Sequence, residues 1–489
     1  MQWKNRLTSA KFRPTRVPLL IAGVLAVTLG GCTVGPNFER PQAAVPGTWS
    51  GPTGNMVREA NEASAEELVH WWTTLGDETL TSLVERAVKS NLTLRQAELQ
   101  IRQARAARGI AAGGAWPSVD ATGSFVRSQP SGGATGNLYH AGLDAAWEAD
   151  IFGGVRRTIE AADADIIAAV EDRQDVLVTL SAEVALNYID LRGYQQQIVI
   201  ARNNLAAQKR TALLTRERFQ GGFVSALDVA NADAQAATTA SQIPLLESAA
   251  QQTIYRLSLL LGEAPSTLLE ELSASSVIPG AAIRVPVGVP SDLLRRRPDI
   301  RRAEAQIHAA TARIGVATAD LFPRISLSGA GGYQSNQLSS LTDWKNRFWS
   351  LGPSASWTVF DAGRIGWNIE LQKALKEQSF IAYRQTVLTA LQDVENALIA
   401  SAKEQEHRDA LVEAAAANRK AMELSTQLYT QGQTDFLNVL QAERALYSSE
   451  DALVQSTRDV STNLVALYKA LGGGWSEGLG ASAIRNKPE

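Results

Sequence analysis

Apolar and polar residues alternate with a period of two in four stretches of the chain, which predicts four β-strands. The first two strands lie within residues 117–150, on either side of a Gly/Ser-rich loop, and the other two lie within residues 323–360. One face of each strand is apolar and the other carries mainly Ser, Thr, Asp or Glu. The apolar faces include Val119, Ala121, Gly123 and Phe125 in the first strand, and Trp349, Leu351, Ala355, Trp357 and Val359 in the last.

Strands of about ten residues with this alternation, and with aromatic residues near their ends, are typical of a transmembrane β-barrel. A soluble hairpin with one buried face is the alternative for either pair taken alone. Two such pairs in one chain favour the membrane.

Each hairpin leads into a very long helical pattern, from Gly153 to about Gln220 and from Gly363 to about Gln431. At ~1.5 Å per residue such a helix extends roughly 100 Å. Only a narrow stripe is apolar, so each helix requires lateral neighbours, as in coiled coils. The predicted stripes are Leu177, Leu180, Val184, Tyr188 and Leu191 in the first helix, and Leu388, Leu391, Val394 and Leu398 in the second.

These elements occur twice because the chain contains an internal repeat. Ala97-Glu98 recurs as Ala303-Glu304, and Trp147 recurs as Trp357, about 206 to 210 positions later. A period this long exceeds that of solenoid repeats, so it predicts a duplicated domain whose halves form one object.

The repeat divides the chain into successive segments. They are a signal peptide (1–31), a lipidated tether and equatorial segment (32–75), first-repeat helices (76–116), a first β-hairpin (117–150), a long helix with its return helix (151–262), an equatorial linker (263–296), a second-repeat helix (297–322), a second β-hairpin (323–360), a second long helix with its return helix (361–472) and a C-terminal tail (473–489).

The N-terminal residues have the features of an export signal. Basic residues precede an apolar run from Val17 to Leu29, and Leu29-Gly30-Gly31-Cys32 follows. This tetrapeptide resembles a bacterial lipobox, which implies cleavage before Cys32 and its acylation, for example with palmitate. Cys32 is the only cysteine, so no intrachain disulfide can form, and a buried structural thiol is the alternative. By the same resemblance, Thr33 in place of Asp permits onward sorting to the outer membrane.

Charge and motifs exclude several classes of function. Without residues 1–31 the chain is moderately acidic and has no basic aromatic patch, so we expect no nucleic-acid binding. No phosphate loop of the Walker type and no G-x-S-x-G motif occurs. We therefore expect no catalytic residues, no bound metal and no cofactor. The histidines are scattered and have no second metal ligand at a suitable spacing: His70, His140, His308 and His407.

Four membrane strands cannot close into a barrel, and an open sheet edge in lipid leaves backbone groups unsatisfied at several kcal/mol each. The chain must therefore oligomerise. Two chains would give an eight-stranded barrel filled by side chains, whereas three would give twelve strands and a lumen. A tetramer is also compatible with the sequence.

Several segments resemble the outer membrane factor family of TolC-like efflux and secretion channels, especially its OprM- and NodT-like lipoprotein branch. They are Leu293–Glu304, Trp147–Gly154, Trp357–Arg364 and the two glycine turns after the long helices. The resemblance implies a mainly α fold with a membrane β portion. It implies a homotrimer, with a twelve-stranded barrel, four strands per chain, in outer membrane lipid and a long α-helical barrel crossing the periplasm.

In this family the channel is a passive conduit that docks through a periplasmic adaptor (membrane fusion) protein to an inner-membrane transporter. The resemblance thus predicts an outer membrane channel for efflux of drugs or other small molecules. The alternatives are a periplasmic structural or adaptor-like coiled-coil lipoprotein, and an outer membrane channel of a type I protein secretion system.

The resemblance also places the two helix turns at the periplasmic tip, where the channel closes and the adaptor docks. Asp228 is the better candidate for a ring of charge in a trimer, because Asn438 and Gln441 stand where TolC-like members often carry acidic residues. Asp228 and Asp435 are otherwise helix N-terminal carboxylates. The candidate tip residues are Gly221, Gly222, Asp228, Gly432, Thr434, Asp435, Asn438 and Gln441.

A second candidate site lies where each hairpin meets its long helix. The carboxylates and the nearby arginines Arg156 and Arg157 either shape the potential at the barrel entrance or cap and brace the junction. The candidate junction residues are Asp150, Gly153, Asp361, Gly363 and Arg364.

Overall fold

The computed structural model describes residues 33–50, 57–59, 67–280 and 285–476. The predicted signal peptide and Cys32 lie outside these ranges. The chain divides into two compact units. Unit 1 comprises Met1–Arg40, Gln103–Ile166 and Ala305–Phe380, and unit 2 comprises Pro41–Arg102, Ile167–Glu304 and Ile381–Glu489.

The strands among the described residues are β1 (Val57–Glu59), β2 (Ser118–Ser128), β3 (Gly136–Ala149), β4 (Val285–Val287), β5 (Arg324–Ser335) and β6 (Arg347–Ser356). The α-helices are α1 (Glu78–Ser90), α2 (Leu92–Gly113), α3 (Gly154–Gln220), α4 (Ala226–Leu260), α5 (Leu269–Leu272), α6 (Leu293–Arg296), α7 (Pro298–Ala319), α8 (Arg364–Thr430) and α9 (Phe436–Ala470). The described chain is thus mostly helical, and α3 and α8 have 67 residues each.

Unit 1 contains an antiparallel sheet with the strand order β2-β3-β5-β6. The register confirms the predicted faces: one row across the sheet is apolar or glycine and the next row is largely polar. The first row is Val119, Ala145, Gly329 and Leu351, and the second is Asp120, Asp144, Ala330 and Ser350.

The last strand is shorter than the alternation predicted. β6 ends at Ser356, which pairs with Arg324, the first residue of β5. Residues beyond Ser356 therefore have no residue of β5 to pair with, so Trp357 and Val359 follow the strand instead of extending it. The Trp357 indole N–H donates to the Leu321 carbonyl oxygen at 3.0 Å.

The sheet leaves two strand edges and one broad apolar face uncovered within the described chain. β2 and β6 each pair with a neighbour on one side only. The apolar side chains of Val119, Leu143, Trp349 and Leu351 are exposed, Trp349 to 80%. A sheet with these properties requires a partner in water, because unpaired edges promote association with other chains.

Unit 2 buries many apolar side chains, among them Trp71, which is fully buried and stacks on Tyr468 with the ring centroids 5.3 Å apart. The predicted stripe of α3 is buried, as Val184, Tyr188 and Leu191 show. A small parallel pairing of β1 with β4 also belongs to this unit. None of the described helices contains a segment sufficiently long and apolar to cross a membrane.

The predicted stripe of α8 is partly wrong. Leu388 is 57% exposed, whereas Val394 and Leu398 are buried as predicted, and the helix also buries Val387 and Ala390. The buried stripe therefore passes through Val387 rather than Leu388 and continues through Val394 as predicted. Leu388 lies on the exposed side of α8.

Candidate functional site

Both long helices end in the same backbone turn. After α3, the Phe223 N–H donates to the Arg218 carbonyl at 2.9 Å, and the Gly222 N–H donates to the Phe219 carbonyl at 2.9 Å. After α8, the Gln433 N–H donates to the Leu428 carbonyl at 2.9 Å. This pattern requires a left-handed residue, which glycine supplies without steric cost. Gly222 has φ 76° and Gly432 has φ 74°.

The first tip continues into α4 through a capping box. The Ser225 side chain accepts a hydrogen bond from the Asp228 N–H, and the Asp228 carboxylate accepts from the Ser225 N–H at 3.0 Å and from its hydroxyl at 2.8 Å. Asp228 is therefore engaged at a helix N-terminus, where a carboxylate is favoured by the helix dipole.

The second tip has a different polar arrangement. Asp435 occupies the N-cap position of α9, but its side chain makes no capping hydrogen bond. The Asn438 amide instead donates to the Thr434 hydroxyl at 2.7 Å, and Gln441 is exposed. The structure thus brings the candidate residues of each tip together, but it places no direct hydrogen bond between the two candidate sets.

The link between the tips comes from Arg218 and Tyr429, which the sequence analysis did not select. The Arg218 guanidinium donates to the Tyr429 carbonyl and lies over the Tyr429 ring, with Cζ 4.6 Å from the ring centroid. The Tyr429 hydroxyl donates to the Thr215 hydroxyl oxygen at 3.3 Å. A buried aromatic ring thus joins the end of α8 to the last turns of α3.

Apolar side chains complete the contact between the tips. The fully buried members are Ala212, Ala232, Tyr429, Phe436, Val439 and Leu440. Beside them, the buried Glu443 carboxylate accepts from the Thr211 hydroxyl at 2.8 Å. Burial raises the pKa of Glu443, and the hydrogen bond from Thr211 opposes only part of that rise.

Removing the carboxylate of Asp228 should weaken the first tip locally. We expect Asp228→Ala to cost roughly 0.5–2 kcal/mol of helix stability, the range for losing an N-terminal cap partner. Asp435→Ala is the matched control, because the Asp435 side chain makes no capping bond. Hydrogen exchange of the first turn of α4 measures the effect. Equal acceleration of exchange in the two variants would contradict the capping role.

At the junctions, the two predicted aspartates contact helix N-termini in similar ways. The Asp150 carboxylate accepts from the N–H groups of Val155 at 3.1 Å and Arg156 at 2.9 Å. The Asp361 carboxylate accepts from the N–H groups of Gly363 at 2.9 Å and Ile365 at 2.8 Å. These contacts are those of capping residues.

The remaining junction residues have separate surroundings. Gly153 and Gly363 are left-handed, with φ 80° and φ 83°. Arg364 lines an open cavity of about 630 Å³ together with Asp320, Arg324, Ser356, Thr358 and Asn368. In the part of the chain that the structure describes, no three potential metal ligands come together.

The arginine-rich segment near residue 297 makes several ion pairs within unit 2. Arg297 donates to Asp299 at 2.7 Å, to Asp393 at 3.0 Å and to the Ala470 carbonyl at 3.2 Å. Burial alone would lower the pKa of Arg297, but the two carboxylates outweigh it and hold that pKa above its usual value. Further ion pairs join Arg301 to Glu171 and Arg302 to Asp172.

Known proteins share the two-repeat organisation of this chain. A family model described as outer membrane efflux protein matches residues 83–263 and again residues 289–473, once over each repeat. The chain belongs to the outer membrane efflux protein family. The chain is 31% identical to nodulation protein T of Rhizobium leguminosarum bv. trifolii over 92% of this chain and 96% of that protein.

Other members of the family match over similar lengths. Outer membrane protein OprJ of Pseudomonas aeruginosa is 32% identical, over 93% of this chain and 95% of its own length. The solved outer-membrane channel OprN superposes with a TM-score of 0.86 at 38% identity, covering 91% of this chain and all of that one. The open state of the Neisseria gonorrhoeae MtrE channel superposes with a TM-score of 0.80 at 29% identity, over 91% of this chain.

These findings confirm the resemblance and the fold class predicted from the sequence. The chain is an outer membrane efflux channel protein, located in the outer membrane, with the mainly helical fold and four antiparallel strands of TolC-like channels. The family is one of channel proteins rather than enzymes.

Proposed function

We propose that three copies of this chain form a passive conduit that carries drugs or other small molecules from the periplasm to the exterior. In this proposal Cys32 carries the lipid anchor. The hairpin tips dock to a periplasmic adaptor protein, which connects the conduit to an inner-membrane transporter.

The observation that carries the proposal is the four-stranded sheet with two unpaired edges and one exposed apolar face. Three copies joined edge to edge supply twelve strands, enough to close a barrel around an aqueous lumen. The polar row of Asp120, Asp144 and Ser350 then faces water, and the row of Leu143 and Trp349 faces lipid.

The tips support the gate and docking part of the proposal. Each chain contributes two hairpin ends, and Phe223, Leu227 and Leu437 expose large apolar side chains there. In a trimer six such ends converge, so their contacts set the width of the periplasmic opening. We assign Asp228, Asp435 and the neighbouring polar residues Thr434, Asn438 and Gln441 to this opening.

A substitution on the lipid-facing side tests the membrane part. We expect Trp349→Arg to reduce the amount of trimer in the outer membrane strongly, because Arg on the lipid face of a barrel costs about 2–4 kcal/mol at the midplane. Ser350→Arg, one residue along β6 on the opposite face, is the matched control and should insert normally. Membrane fractionation and native mass spectrometry measure the result.

The proposal fails if Ser350→Arg reduces insertion as much as Trp349→Arg, since both faces would then meet the same surroundings. A coiled-coil lipoprotein without a pore predicts no ion conductance in planar bilayers and full release from membranes when Cys32 is replaced. The proposed channel conducts, and its Cys32→Ala variant stays inserted through its strands once exported.

A further inference from the structure

Residues 33–38 pack against other elements of unit 1. The Val34 N–H donates to the carbonyl of Phe152, which lies between β3 and α3, at 3.1 Å. Phe38 stacks on the His308 ring of α7 with the centroids 4.4 Å apart. The segment therefore touches elements from both repeats. We call residues 33–38 the N-terminal arm.

The arm approaches its neighbours closely at two glycines, where a larger residue would not fit. A Cβ on Gly35, which has φ 86°, would lie 2.5 Å from Cα of Gly315 in α7. A Cβ on Gly153, which has φ 80°, would lie 2.5 Å from a Thr33 side-chain carbon. Side chains cannot be accommodated at such distances, so the arm sits against backbone on both sides.

One buried side chain organises the arm. Arg157 of α3 is only 3% exposed. Its guanidinium donates to the Val34 carbonyl at 3.2 Å, to the Asn37 side-chain oxygen at 2.7 Å and to the Gly35 carbonyl at 3.5 Å. A buried guanidinium is stable only with its donors paired, and here most of its partners belong to the arm.

A carboxylate joins Arg157 to the aromatic contact of the arm. Glu160 accepts from Arg157 at 2.7 Å and lies 3.0 Å from the His308 ring nitrogen. Burial alone would raise the pKa of Glu160, but the hydrogen bonds from Arg157 and His308 outweigh it, so that pKa lies below its usual value. The arm, α3 and α7 thus share one connected polar cluster.

The site exists at one of the two junctions only. The residue 210 positions after Arg157 is Trp367, which is 74% exposed and apolar. The second repeat therefore has no counterpart of the arm-binding arginine at this position. A residue kept for general bracing of a strand-to-helix junction would be needed at both copies.

We propose that the N-terminal arm is a clasp and that Arg157 is its positioning residue. Arg157 holds the chain immediately after Cys32 against the β3–α3 junction, so the acyl chains leave the protein at a fixed place beside the sheet. The clasp also ties α3 of the first repeat to α7 of the second. The lipid part of this inference rests on the proposed function, but the binding of the arm does not.

Spin labelling tests the clasp in the full-length protein. Glu39, exposed and directly after Phe38, is replaced by Cys and labelled; acylated Cys32 has no free thiol, so the label is unique. We expect an immobilised label in the otherwise unchanged chain and a mobile one in Arg157→Met. The released fraction should rise roughly tenfold or more, the effect of losing one charge-assisted hydrogen bond of about 1.4 kcal/mol.

Three further samples separate the interpretations. Arg313→Met is the matched control, because the half-exposed Arg313 of α7 pairs with Asp165 of α3 rather than with the arm, and its label should stay immobile. Phe38→Ala loosens the arm without touching Arg157, which keeps the test valid if Arg157→Met does not fold. Arg157→Lys should restore part of the immobilisation.

A label that is mobile in the parent protein, or equally immobile in Arg157→Met, Phe38→Ala and Arg313→Met, overturns the clasp. The mass of the N-terminal peptide is measured on the same samples. An N-terminus without acyl chains would overturn the proposed anchor. The clasp is then tested with the same variants in a Cys32→Ser background, in which the label at position 39 is again unique, so the two failures are distinct.

Discussion

Replacing Arg218 by Met should widen the periplasmic opening of the channel, and we expect a several-fold rise in single-channel conductance in planar bilayers. Arg218 donates to the Tyr429 carbonyl and lies over its ring, so it joins the end of α3 to the end of α8. A cation–π contact alone is worth about 0.5–2 kcal/mol, and the hydrogen bond adds to it. Methionine keeps much of the volume but loses both interactions.

Arg216→Met is the matched control for this prediction. Arg216 lies on the same helix end, but its exposed guanidinium pairs with Asp233 within the first hairpin. Exposed pairs contribute little to stability, so conductance should stay near that of the parent protein. Unchanged conductance in Arg218→Met, with the trimer intact, would show that the link between the two hairpins does not restrict the opening.

The second large effect, a loss of thermal stability, is expected when Arg297 is substituted. Its side chain is only 12% exposed and serves two carboxylates and the last carbonyl of α9. Arg297→Met leaves the half-buried Asp299 without its cation, and removal of one member of a buried pair costs about 3–5 kcal/mol. We expect lower yields and a lower midpoint of thermal unfolding, measured by circular dichroism of the purified protein.

Arg295→Met provides the comparison, because Arg295 is exposed and bonds only Asp292 among the contacts that the structure gives. Its unfolding midpoint should change little. A double substitution, Arg297→Met with Asp299→Asn, should recover part of the loss, since the uncompensated charge is then removed. If the unfolding midpoint of the double variant does not recover, the loss of stability comes from lost packing of the Arg297 side chain instead.

The strands and the helix ends could be predicted from the sequence because their signals involve residues that are close together in the chain. Alternation in the strands and the glycine after each long helix gave the hairpins and helix ends closely, because those signals act within a few residues. The exposure of Leu388 in α8 was not predictable, since Val387 and Leu388 are both apolar. Which of them is buried depends on neighbours far away in the chain.

The candidate sites were predicted less completely for the same reason. The glycines and the capping aspartates have local signatures, whereas Arg218 finds its partner 211 positions away. A signal for it did exist: the residue 210 positions after Arg218 is Leu428, so the repeat breaks at this place. Arg157 and Trp367 show the same kind of break at the junction.

The glycine turns have a consequence for how such proteins diversify. Backbone hydrogen bonds alone close the chain at Gly222 and Gly432, and the side chains of Phe223 and Gln433 point outward. Substitution at these exposed positions therefore leaves the hairpin geometry unchanged. Under the proposed docking of the tips, drift at these positions can produce new partner preferences without a new fold, and tip sequences can be exchanged between relatives on the same principle.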